Sequence, residues 1–272
     1  MKRLHSILVL CIALTGCATA PPQSGKVQVQ WLGQSATKIT TVTGKVIVID
    51  PFLINNPKTP PEYKKLEALG KVDLILVTHG HGDHFADAPA LAKLNNAPMW
   101  GPAGMNQSVV TLGILPVQLA PRFGKSGTIT PLGPNIKITA THAEHSSELL
   151  WKNPATGKDE THVGGEPVGF IIELENGFKI YHMGDTGIFG DLKLIGEYYK
   201  PDLIMIPIGG HFVLDPKDAA FVTKEYLKPK FAIPFHYATI PQLKGTPEEY
   251  MQALGSSSTK VFPIKPGDKL EF

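Results

Sequence analysis

Apolar and polar positions along this chain alternate in some stretches and run together in others, and the two patterns mark out most of its elements. From Val27 the stretch VQVQWL alternates, which predicts a half-buried strand. ATKITTV and KVIVID follow as further strands across a turn at Thr43-Gly44. Residues 55–61 are a Pro- and Asn-rich loop, and Glu62 to Leu69 reads as a helix stopped by Gly70. VDLILVTH is an unbroken apolar run, so it predicts a strand covered on both faces. Helices are expected over Ala86–Leu94 and Met105–Leu112, with PMWGP as a short strand between them. Strands PVQLAP, GTITPL and IKITATHA come next, then a polar, Gly-rich stretch over 146–166 that contains the apolar knot Leu149, Leu150 and Trp151. VGFIIEL and FKIYHMGD form a hairpin over Glu175-Asn176-Gly177. The rest reads as helix Asp191–Tyr199, buried strand DLIMIPI, helix Pro216–Leu227, strand FAIPFHY, a helix around Pro247–Leu254 and a last strand KVFPI.

The pattern repeats within itself. GKVIVID is followed by Asp73 and LILVTHGHGDHF; FKIYHMGD is followed by Asp202 and LIMIPIGGHF. Each half is expected to run hairpin strand, aspartate, helix, buried strand, then a glycine/histidine loop. Two such β-rich halves with helices predict two sheets packed face to face with helices outside. No linker divides them, so one domain is expected over residues 26–272.

Residues 1–16 stand apart from that domain. Lys2 and Arg3 open a short apolar run, Ile7 to Leu14, which is too short to cross a membrane comfortably and has the shape of a secretory signal. Leu14-Thr15-Gly16-Cys17 resembles the lipobox of bacterial lipoproteins. The resemblance implies cleavage before Cys17, lipidation there, a tether over 17–25 and a periplasm-facing anchor in the cell envelope. Ala18 in place of an inner-membrane retention aspartate points to the outer membrane.

Loss of that signal also changes the charge. It removes Lys2 and Arg3 and no acidic residue, leaving 24 basic residues against 24 acidic ones. A neutral chain argues against general nucleic-acid binding, which needs a basic face. The only cysteines are Cys11 and Cys17, so the domain holds no disulfide, and any transition-metal site in it is expected to be built from His and Asp.

The chemistry concentrates in THGHGDH, residues 78–84. His79 and His81, two apart, share a face if the strand continues, and Gly80 and Gly82 let the backbone curl so that Asp83 and His84 turn to a second point. Nitrogen and oxygen donors held this way suit zinc, manganese or iron. Other candidate ligands sit where later strands meet loops: His142 and His145, His182 and Asp185, His211, and His236.

HGHGDH fits the HxHxDH signature of the metallo-β-lactamase fold superfamily. IDPFL, GDTGIFGDLKLIGE, PIGGHF and PFHY make the chain resemble its metal-dependent hydrolases related to the ascorbate-6-phosphate lactonase. The resemblance implies an α/β, four-layer αββα sandwich and two divalent metal ions, zinc first among the candidates. It carries His79, His81 and a third histidine to one metal, with His145 fitting better than His142. It carries Asp83, His84 and His236 to the other, with Asp185 bridging them. Asp50 is expected to orient a ligand, His182 to be packed in the core, and His211 to donate a hydrogen bond to substrate.

On this reading a water shared by the two ions attacks an ester, lactone or phosphodiester of a small molecule, with Asp83 or Asp185 moving the proton. A phospholipase-D-like activity on lipid and a non-catalytic metal-binding lipoprotein are the alternatives. Residues 146–166 are expected to form a flap over the site, with Trp151 as an apolar contact.

Overall fold

The computed structural model describes residues 25–272; the signal, Cys17 and almost all of the tether lie outside them. Among the described residues, fourteen of sixteen strands build two seven-stranded sheets, with six α-helices on their outer faces. The first sheet holds β1 (Gln28–Gly33), β2 (Ala36–Thr40), β3 (Val46–Ile49), β4 (Leu74–Leu76), β5 (Met99–Pro102), β6 (Arg122–Phe123) and β16 (Lys269–Glu271), in the order β16-β1-β2-β3-β4-β5-β6. The second holds β7 (Thr128–Ile129), β8 (Lys137–His142), β11 (Val168–Glu173), β12 (Lys179–His182), β13 (Leu203–Pro207), β14 (Phe231–Phe235) and β15 (Lys260–Val261), in the order β15-β14-β13-β12-β11-β8-β7. A separate two-stranded ribbon pairs β9 (Glu148–Lys152) with β10 (Asp159–Val163). The helices are α1 (Gly82–Phe85), α2 (Ala88–Asn95), α3 (Ala103–Thr111), α4 (Asp191–Tyr199), α5 (Pro216–Phe221) and α6 (Pro247–Leu254).

Side-chain parity along the buried strands makes the layers. Leu74 and Leu76 of β4 enter the core between the sheets, while Ile75 and Val77 face Leu91, Ala92 and Val109 of the first helical layer. In β13, Leu203 and Met205 enter the same central core, and Ile204 and Ile206 face Leu192, Ala219 and Leu254 of the second helical layer. A strand covered on both faces has no polar side to show, which is why these segments read as continuous apolar runs. The result is the αββα sandwich that the resemblance implied.

The internal echo is also present in three dimensions. β3 pairs parallel with β4, and β12 parallel with β13. Asp73 accepts from the Val46 amide at 2.9 Å, and Asp202 accepts from the Lys179 amide at 3.0 Å. The two aspartates lock equivalent parallel pairs.

Other elements differ from the sequence expectations. VQVQWL is not half-buried: beyond Gln28 the whole strand is buried, and the Gln30 amide donates to Tyr63 Oη and Gly267 O. Glu62–Leu69 is not one helix but two 3₁₀ turns, Pro61–Lys64 and Leu66–Leu69, broken at extended Lys65. PVQLAP is a 3₁₀ turn, Val117–Leu119, because Pro116 and Pro121 cannot donate to a sheet ladder. GTITPL keeps only Thr128–Ile129 in strand. Asp191–Tyr199 and Pro247–Leu254 are helices, the latter started by a Thr246–Glu249 capping box.

Candidate metal centre

Loops leaving the C-terminal ends of β4, β8, β12 and β14 converge at one edge of the sandwich. They bring His79, His81 and His145 into one group, and Asp83, His84, Asp185 and His236 into a second. Within each group the donor atoms lie no more than 4.8 Å apart.

The first group rests on the curl of the THGHGDH loop. His79 Nε2 lies 3.0 Å from His81 Nδ1. The far nitrogen of His81, Nε2, is 2.9 Å from Glu148 Oε2, so the carboxylate holds that proton and leaves Nδ1 turned to the cluster. Ser147 accepts from the Gly80 amide at 3.0 Å and donates to Gly164 O at 2.8 Å, which ties the ribbon to the histidine loop. His145, not His142, completes the group. His142 is turned away, with Nδ1 3.3 Å from Lys125 Nζ and its ring edge-on to Phe189.

The second group is built around Asp185. Its Oδ2 lies 3.0 Å from His236 Nε2, 3.3 Å from His84 Nε2 and 3.6 Å from His145 Nε2, so this carboxylate touches both groups. Gly184 makes the turn possible: φ is +62°, and a Cβ there would meet Thr78 at 2.9 Å. His84 is aimed by Asp50, whose Oδ2 lies 2.8 Å from His84 Nδ1 and which accepts from both the amide and the hydroxyl of Thr78. Asp50 therefore stands where the sequence placed it, behind a candidate ligand. His182 is packed in the core, 3.0 Å from Ser35 O and edge-on to Phe235.

Burial and charge set the protonation states. Burial, reinforced by neighbouring histidines, holds His79 well below the usual imidazole range, and His145 is lowered for the same reason. Burial would lower His84 and His236 too, but the surrounding carboxylates, Asp185 foremost, win: His84 is raised well above its ordinary value and His236 to about 9. Burial pushes the carboxyls of Asp83 and Asp185 up, and the adjoining histidines more than reverse this, leaving both well below the usual carboxylate range.

This donor set fits a metal. Asp185 Oδ1 is buried with no hydrogen-bond partner among the described residues. Leaving such an atom unpaired costs about 1–3 kcal/mol, more if charged. Imidazole and carboxylate donors without thiolate are what zinc, manganese or iron accept.

The cavity beside the cluster is about 530 Å³. Its lining includes Gln34, His81, Asp83, His145, Asp185 and His236. Gln34 was not foreseen. It sits at φ +51° in the β1–β2 turn, donates to Asp83 Oδ2 at 2.8 Å and lies 2.7 Å from His236 Nε2. Only its position before Ser35 in a tight turn could have drawn notice, and that signal does not name a partner.

Two expectations do not match the structure. His211 does not line the cavity; it lies exposed on the adjoining cleft, and Phe212 lines the cavity instead. Residues 146–166 form the β9–β10 ribbon, but Leu149 is fully buried and Trp151 packs with it on the first helical layer, so Trp151 is no contact of the site. One side chain points to one face and the next to the other, so Leu149 and Trp151 share the inward face.

Residues 45–237 match the model of the beta-lactamase superfamily domain family. A metal-dependent hydrolase of Polaromonas sp. is 65% identical over 274 residues, the whole of both chains. One of Cupriavidus necator is 59% identical over 289 residues, again the whole of both. Among solved structures, a metallo hydrolase of Ignicoccus hospitalis is 31% identical, with a TM-score of 0.75 over 91% of this chain and 98% of its own.

Proposed function

This chain belongs to the beta-lactamase superfamily domain family and is a metal-dependent hydrolase, and we propose that it uses two divalent ions to hydrolyse an uncharged ester or lactone bond in a small molecule. The observation that carries the two-ion reading is Asp185, one carboxylate reaching both clusters. His79, His81 and His145 would hold one ion, and Asp83, His84 and His236 the other, with Asp185 shared. When bound, such ions lower the pKa of a shared water and polarise the carbonyl under attack.

The chain's own residues divide the remaining work. Asp185 is 3% exposed and is placed to hold, not to shuttle. The Asp83 side chain is 38% exposed, lines the cavity, and has Oδ2 occupied by the Gln34 amide. Its Oδ1 is therefore the oxygen left to take the proton from the attacking water and pass it to the leaving oxygen. In balance, the water oxygen bonds to the carbonyl carbon, the carbon–oxygen bond to the leaving group breaks, and acid and alcohol are formed. Among the described residues lining the cavity there is no lysine or arginine, so a phosphodiester would find no guanidinium or ammonium group there, which favours the uncharged ester or lactone.

Protein purified without added metal is expected to carry two equivalents of a divalent ion by elemental analysis. On a panel of esters, lactones and phosphodiesters, Asp185→Ala should remove turnover by at least about a hundred-fold. A panel without metal-dependent turnover that Asp185→Ala abolishes would return the chain to a binding role.

The same reading includes a membrane tether at Cys17, supported by the lipobox-like LTGC. Among the described residues no helix is long and apolar enough to cross a membrane. Cys17→Ser should move the protein from the membrane to the soluble fraction of the envelope; unchanged sedimentation with membranes would remove the tether.

A further inference from the structure

The residues lining the cavity are of two kinds. Beside the ligand cluster and its polar neighbours stand Phe52, Pro57, Phe212, Ile240 and Leu243. Leu243 is buried, but Phe212 is 52% exposed and Ile240 is 43% exposed, and Ile54, next to the lining residue Asn55, is 44% exposed. These side chains form an apolar surface continuous with the candidate reacting centre.

The backbone that presents Phe212 is strained and pinned. Gly210 and His211 are both in the left-handed region, at φ +71° and +60°. For His211, which carries a Cβ, this is a strained conformation. The turn is closed by Gly210 N donating to Leu214 O at 3.0 Å and Phe212 N donating to Gly210 O at 2.7 Å. Leu214 N donates to Thr186 O at 2.9 Å, immediately after Asp185. Thr186 Oγ1 also accepts from the Glu144 amide, next to His145. Phe212 is thus fixed in register with the ligand loops while half of its surface stays in solvent. Burial contributes little to holding a half-exposed phenylalanine in a strained turn.

We propose that this surface is a subsite for an apolar chain flanking the bond that is hydrolysed, with Phe212 and Ile240 setting the preference for chain length. The inference rests on the ester or lactone reading for the identity of the bond, but not for the surface itself. A cavity of about 530 Å³ falls within the roughly 300–1,000 Å³ range of small-molecule sites. A carboxylate placed at the metal cluster, as in the acid product, leaves its chain to run over these side chains. Each methylene removed from water then adds about three- to four-fold in affinity.

The test is direct binding of sodium acetate, butyrate, hexanoate and octanoate to the metal-loaded full chain by calorimetry, beside hydrolysis of the matching esters. Affinity should climb along the series. Phe212→Ala should lower the octanoate-to-acetate affinity ratio by about ten-fold or more. Ile240→Ser, a second variant at an exposed site, should lower it in the same direction, with metal content in both variants matching the unaltered protein. A flat series, or an octanoate-to-acetate ratio that neither substitution changes, overturns the subsite. Absence of ester turnover with a climbing, Phe212-dependent series would remove the hydrolysis reading and leave the subsite standing. Ester turnover with a flat series would do the reverse.

Discussion

At the residue scale, the candidate site depends on second partners as much as on ligands. Asp50 is fully buried and serves three donors at once: the His84 ring and both the amide and the hydroxyl of Thr78. Glu148 does the equivalent for His81, but its side chain is 52% exposed. Asp50→Ala leaves buried donors unpaired and His84 free to rotate, so metal affinity should fall about 10–100-fold. Water can stand in for Glu148, so Glu148→Ala should cost less than about ten-fold. Competition with a chromophoric chelator measures both; an equal loss in the two would contradict this ranking. The ligand loop was legible because His79 to His84 are contiguous. Asp50 was legible only through the resemblance of IDPF to a site-proximal aspartate of the fold. Gln34 was not legible, because its partners Asp83 and His236 are 49 and 202 residues away and only the fold brings them together.

At the element scale, strands covered on both faces and capped helices were readable, since local pattern and tertiary role agree there. Pro247–Leu254 carries its own start and stop signals, the Thr246–Glu249 capping box and Gly255. PVQLAP shows the limit: its alternation suits a strand, and its prolines forbid the ladder. The β9–β10 ribbon shows another. Polarity and glycine suggested a flap, but Leu149 and Trp151 anchor the ribbon on the first helical layer, and only Glu148 and the Ser146–Ser147 turn reach the histidines. Leu149→Ala should therefore act on stability, costing about 2–5 kcal/mol in chemical denaturation. A variant of unchanged stability with a raised KM would restore the flap.

At the scale of the whole molecule, one edge of the sandwich carries a dense group of ionisable side chains, and folding without metal must satisfy them with protons. In the metal-free protein His84 is raised well above its ordinary value and His236 to about 9, each by carboxylates around Asp185. A histidine raised on folding contributes stability that is fully present below its unfolded pKa, about 6.5, and is lost as pH rises through the folded value. Asp83 and Asp185 are lowered and stay ionised across this interval, and His79 and His145 are lowered and stay neutral in the folded protein, so none of the four changes the difference between its metal-free and metal-loaded forms. With metal bound, the same nitrogens carry ions in place of protons, and that contribution does not titrate away between pH 6.5 and 9. The gap in Tm between metal-loaded and chelator-treated protein should therefore widen as pH rises from 6.5 to 9. Thermal denaturation of both forms at half-unit steps measures it. A gap that narrows over this interval would mean that the histidines do not exchange protons for metal, and the edge would then be an ordinary ion-paired surface.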